Sequence, residues 1–131
     1  MKSRDPLIRA KRFQIDDARR RLAQIDTMIA EFERMAGELE RDIAAEEERT
    51  GLSDPRHFAY SPLALAARTR RDNLHRSADD LKVQQDAARA ALAEAEADLA
   101  LVEAAGEMDR TGRVESPGRR PPLRSGETAR I

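Results

Sequence analysis

From Ile8 to Ile43 the apolar residues of this chain return every seven positions without a break. Ile8, Ile15, Leu22, Ile29, Ala36 and Ile43 form one series, and Ala18, Ile25, Phe32 and Leu39 form a second, offset by three. Those are the a and d positions of a coiled-coil heptad, so the stretch predicts a long amphipathic helix with a stripe that needs a partner. A second stretch repeats the pattern. Ala67, Leu74, Leu81, Ala88, Ala95 and Val102 make one of its series and Ala64, Ala78, Leu92 and Leu99 the other, with Arg71 and Gln85 as polar intrusions. Between the stripes lie mostly Arg, Asp, Glu, Gln and Ala, residues that form helices readily or sit comfortably in water.

Punctuation sets the boundaries. Asp5-Pro6 supplies a capping carboxylate followed by proline at the first helical position, with Ser3 as a competing cap. Gly51 is placed to close the first helix as a left-handed cap, and Ser61-Pro62 opens the second. Gly106 is read as its end. The expected organisation is a helix over 5–50, a connector over 51–61 with a turn at Ser53-Asp54-Pro55, and a helix over 62–105. Each helix would extend on the order of 65 Å, so the two are matched in length. From residue 110 onward Gly112, Pro117, Gly118, Pro121, Pro122 and Gly126 sit among arginines, and 110–131 reads as a disordered basic tail.

Charge decides what the stripes pair with. The first helix begins basic, with Arg9, Lys11, Arg12 and the run Arg19-Arg20-Arg21, and ends acidic, with Glu31, Glu33, Glu38, Glu40, Glu46, Glu47 and Glu48. The second repeats that polarity, from Arg68, Arg70, Arg71 and Arg76 to Glu94, Glu96, Asp98, Glu103 and Glu107. Folding the chain back on itself lays basic against acidic at both ends, whereas a parallel dimer of either helix lays like against like. The expectation is all-α: residues 1–109 as one long two-helix antiparallel coiled-coil hairpin, followed by the tail. The same polarity opposes the helix macrodipole, at a few tenths of a kcal/mol per exposed charge, so complementarity between helices must outweigh it.

The totals narrow the function classes. With 131 residues, 37% charged and 3% aromatic, the chain has little material for a broad core. The net charge is -1; six Arg against Glu115 and Glu127 put +4 on the tail and leave -5 on the rest. There is no global pull toward nucleic acid or anionic lipid. The absence of cysteine removes disulfide scaffolds, cysteine-based zinc sites and thiol catalysis. No phosphate loop, dinucleotide fingerprint, zinc-protease helix or nucleophile elbow occurs, and His57 and His75 have no spaced third ligand. We therefore expect no enzyme, no catalytic or metal site and no cofactor. Nothing resembles a signal peptide or a membrane span, and the expected location is cytoplasmic.

What remains is a surface for partners. Phe13 lies off the seam among Arg9, Lys11 and Arg12, where an exposed aromatic beside basic residues suits protein recognition. Phe58 and Tyr60 occupy the connector, either projecting toward a partner or folding back to plug the hairpin end. Met28 and Met35, one heptad apart beside the a positions, either shield the seam or widen it for another helix.

The run from Met1 to Ile25, with Lys11-Arg12-Phe13 followed by the triple Arg, the run from Arg70 to Leu81, and the Asp54-Pro55-x-His57-Phe58 connector resemble the flagellar export protein FliJ family in its short alphaproteobacterial form. The resemblance spans about residues 1–109. It implies a stalk-like hairpin of the type III export apparatus for bacterial flagellum biogenesis and motility. Such a hairpin engages the ring of the export ATPase and the cytoplasmic domain of the export gate. It also escorts substrate chaperones, peripherally at the inner membrane and with no small-molecule substrate. On that reading Arg9, Lys11, Arg12 and Phe13 would anchor one partner, and Phe58 and Tyr60 another. Competing expectations are a coiled-coil adaptor or structural protein of another assembly, and a nucleic-acid-binding coiled coil using the basic N-terminus and tail. The acidic body and the lack of interleaved aromatics weigh against the last.

Overall fold

The computed structural model describes residues 4–115, and side chains over residues 4–110. Among them the chain forms two helices, α1 (Arg4–Thr50) and α2 (Pro62–Glu115), packed against each other as an all-helical hairpin. Both predicted starts hold to within a residue. Gly51 adopts φ 75° and its N–H donates to the Glu47 carbonyl at 2.8 Å, closing α1 with a left-handed cap where an L side chain would be strained. Ser61 caps α2, its Oγ accepting the Ala64 N–H at 3.2 Å while Pro62 stands where no donor is needed.

The packing divides into two units, Arg19–Ala90 and a second made of Met1–Ala18 with Ala91–Ile131. The first holds most of α1, the connector and the first half of α2. Its core is Ile25, Ile29 and Leu81, with Phe32 and Ala88 packed against them, and Ala36, Ile43, Ala64 and Ala78 are also buried. All of these are heptad positions read from the sequence. No large side chain in the described residues is fully enclosed. A seam between two helices covers a side chain only from the facing helix, so some edge always meets water. Along one edge of this seam run Asp26–Gln85 (2.6 Å), Glu33–Lys82 (3.0 Å), Glu40–Arg71 (2.7 Å) and Glu47–Arg68 (3.4 Å). Each step forward on α1 is a step back on α2, so the two helices run antiparallel in one register, the acidic end of α1 against the basic start of α2. Arg71 and Gln85, the two polar intrusions, are inward positions whose polar tips reach that edge and find acids there.

In the second unit the signs are reversed. Arg4 pairs with Asp109 (2.9 Å), Lys11 with Asp98 (3.8 Å) and Arg12 with Glu103 (2.8 Å), so the basic start of α1 meets the acidic part of α2. Ile15 and Gly106 are buried, and Ile8, Ala18, Leu92, Leu99 and Val102 are half-buried around them.

One expected boundary is corrected. Gly106 does not end α2, which continues to Glu115. Gly106 falls seven residues after Leu99 on an inward heptad position, and a side chain added there would stand 3.9 Å from Cδ of Arg4. The glycine is a packing position beneath the Arg4 stem rather than a stop. Residues 110–115, assigned to the disordered tail, are accordingly helical, while the expectation for 116–131 lies outside the described residues.

Candidate functional site

The six residues expected to meet partners separate into exposed and committed side chains. Phe13 is 67% exposed, at the outermost position of its heptad, with Arg9 one turn before it. Arg9 is exposed and makes no hydrogen bond or ion pair among the described residues. Arg12, though exposed, is held by Glu103, and Lys11 occupies an inward position, half-buried and paired with Asp98. At the start of α1 the structure thus leaves Arg9 and Phe13 available, and engages Lys11 and Arg12 in the hairpin itself.

The connector is built just as specifically. Oδ1 of Asp54 accepts the Arg56 N–H at 2.9 Å and the Asp54 carbonyl accepts the His57 N–H at 3.0 Å, an Asx turn set by the Asp-Pro pair. His57 then fixes the next residues. Its Nδ1 accepts the Ala59 N–H at 3.0 Å and its carbonyl accepts the Tyr60 N–H at 3.0 Å. With Nδ1 accepting, the neutral ring carries its proton on Nε2. The imidazole lies stacked on Phe58, ring centres 4.8 Å apart and planes inclined by 22°. Phe58 is thereby displayed at the turn, 96% exposed, on a pre-ordered support.

Of the two alternatives open to it, Tyr60 takes the inward one. It is 6% exposed and folded against the hairpin end, donating its hydroxyl to Oε2 of Glu47 at 2.6 Å. Burial pushes its phenol pKa up and the bond to Glu47 adds to the shift. Beside it Ser61 donates to Oε2 of Glu46 at 2.6 Å, and Arg49 grips the same carboxylate through Nε (3.0 Å) and Nη2 (2.7 Å). Those two partners, the arginine first, hold Glu46 down to about 2 from an ordinary 4.5. Tyr60 and Ser61 are clamps on the closed end, and Phe58 is the residue it presents.

Sequence reasoning missed one feature. On the seam edge opposite the ion pairs of Arg19–Ala90, a groove of about 400 Å³ runs between the helices, its walls including Leu39, Asp42, Arg49, Leu63, Ala67 and Arg70. Leu63, directly after the Ser61-Pro62 cap, is 70% exposed there. The signal was its place beside an inward alanine rather than on the stripe. Among the described residues no group of three His, Cys, Asp or Glu side chains is arranged to hold a metal ion, and no helix is long and apolar enough to cross a membrane. Comparison with protein-family models, with characterised proteins and with solved structures gives no match.

Proposed function

We propose that this chain is a non-enzymatic coiled-coil component of a flagellar type III protein export apparatus. In this role it engages the export ATPase ring and the cytoplasmic domain of the export gate, and escorts substrate chaperones. The reading rests on the resemblance of residues 1–109 to the FliJ family, and one observation supports it most. The heptad stripes are consumed within a single chain, leaving an available Arg9–Phe13 pair on α1 and a lone Phe58 at the turn for other proteins. An antiparallel hairpin needs no second subunit to exist, so its outer faces are free to bias the assembly of a larger machine, while the chemistry of ATP belongs to the partner. Association with the membrane would then run through the gate protein.

The test follows from which residues are committed. Reversing Lys11 or Arg12 would break the pairs to Asp98 and Glu103, so the informative variant is Arg9→Glu with Phe13→Ala. We expect it to lose stimulation of the cognate ATPase by the full chain while helicity by circular dichroism stays unchanged. Stimulation equal to wild type overturns the assignment. Retention of a different assembly in a pulldown with the full chain replaces it by the adaptor reading.

A further inference from the structure

The two edges of the seam in the unit Arg19–Ala90 are not alike. One edge carries Asp26, Glu33, Glu40 and Glu47 on α1 against Arg68, Arg71, Lys82 and Gln85 on α2, each paired across the seam. The other edge carries Met28, Met35, Asp42 and Arg49 on α1 and Leu63, Arg70, Ser77 and Gln84 on α2. No ion pair across the seam joins these eight residues. Arg49 turns back to Glu46, and Asp42 and Arg70, on opposite walls of the groove, have no hydrogen bond or ion pair at all among the described residues. Leu63 and Met28 stand exposed on the same edge.

We infer that this edge is the contact surface for a second copy of the chain, which closes two hairpins into a four-helix bundle about a two-fold axis parallel to the helices. The inference rests on self-complementarity. A two-fold contact uses the same patch on both copies, so the patch must contain what it needs to meet. An axis running along the groove lays α1 of one copy over α2 of the other, antiparallel, in the sense in which the two helices already pair within the chain. Asp42 of each copy then faces Arg70 of the other, so one operation gives both unpaired charges a partner. The apolar side chains of the edge turn into the new core: Leu63 into the groove it shares with Ala64 and Ala67, and exposed Met28 with half-buried Met35 farther along the same edge. An axis perpendicular to the helices would instead set Asp42 against Asp42 and Arg70 against Arg70. The inference is independent of the export reading, which concerns Arg9, Phe13 and Phe58.

Sedimentation equilibrium on the full chain tests it, and charge reversal gives the signature. The wild-type chain should show twice its 14.7 kDa mass. Asp42→Arg and Arg70→Asp should each fall to the monomer mass, since either places two like-charged pairs in the contact. Mixing the two variants in equal amounts should restore the doubled mass, because one copy of each makes both pairs attractive again. Leu63→Glu should be monomeric and show no such rescue. Circular dichroism checks that each variant keeps its helicity; where one does not, the wild-type mass alone decides. A wild-type chain at monomer mass at every attainable concentration overturns the inference and leaves the groove to a foreign helix. So does a mixture of helical variants that stays monomeric, because a charge effect confined within each chain would not respond to mixing.

Discussion

At the scale of the residue, two glycines show that one amino acid answers opposite demands. Gly51 sits at φ 75°, where a Cβ costs roughly 1–2 kcal/mol, so Gly51→Ala should lower stability by about 1 kcal/mol. Gly106 lies inside a helix with its nearest neighbour 3.9 Å from an added Cβ, an ordinary contact distance. There Gly106→Ala removes the backbone freedom of the unfolded chain and should raise stability by about 1 kcal/mol. Urea unfolding of the two variants checks both signs. Glu46 gives a pH dependence whose direction follows from its partners. Held down to about 2 by Arg49 and Ser61 against 4.5 when free, its carboxylate contributes stability that is fully present above about pH 4.5 and is lost as pH falls toward 2. Thermal melts across that window should fall more steeply for wild type than for Glu46→Gln, which cannot titrate; parallel curves would remove the clamp from the account.

At the scale of the element, the interior of the seam was legible from Ile, Leu, Phe and Ala at sevenfold spacing, and its direction from charge blocks that the structure resolves into individual pairs. The ends were not. The inward series of α1 continues through Arg4 and Lys11 at one end and Glu46 at the other, all half-buried, and that of α2 ends at Gly106. A search for apolar letters stops where long stems and a glycine take over the packing. Tyr60 was ambiguous for a related reason, since an aromatic in a connector faces inward only if its hydroxyl finds an acceptor, and Glu47 lies thirteen positions away on another element. Arg71 and Gln85 were seen as intrusions, but their purpose was not. Each occupies an inward position and reaches an exposed acid, Glu40 or Asp26, a satisfied arrangement that fits one alignment of the helices only. Arg71→Leu with Gln85→Leu should therefore raise the unfolding temperature, by about 1 kcal/mol of added burial per site. It should also relax register, seen as broadened amide signals or mixed oligomers. Higher stability with a single sharp state would mean that apolar packing alone fixes the alignment.

For the molecule as a whole, placing both helices in one chain makes pairing independent of concentration and leaves the outer surface to determine what the protein meets. The ion pairs along the seam edge are mostly exposed, and pairs of that kind contribute about 0–1 kcal/mol each, so their main effect is choice of direction rather than strength. They also account for basic residues at the start of each helix, the end the macrodipole disfavours, because every one of Arg4, Lys11, Arg12, Arg68 and Arg71 has an acid on the other helix. On the export reading, recognition rests on side chains the hairpin does not use: Arg9 and Phe13 on α1, and Phe58 on the connector. On that reading one set serves the ATPase ring and the other a gate or chaperone component. Phe58→Ser removes an aromatic whose burial in a partner is worth roughly 1.5–3 kcal/mol, about a ten- to hundredfold change in affinity. The turn beneath it is kept by Asp54 and His57. The variant should lose binding to one partner by that factor in a calorimetric titration while stimulating the ATPase normally, and Arg9→Glu with Phe13→Ala should do the reverse. If both variants weaken the same partner equally, the two surfaces act as one, and the assignment of separate partners fails.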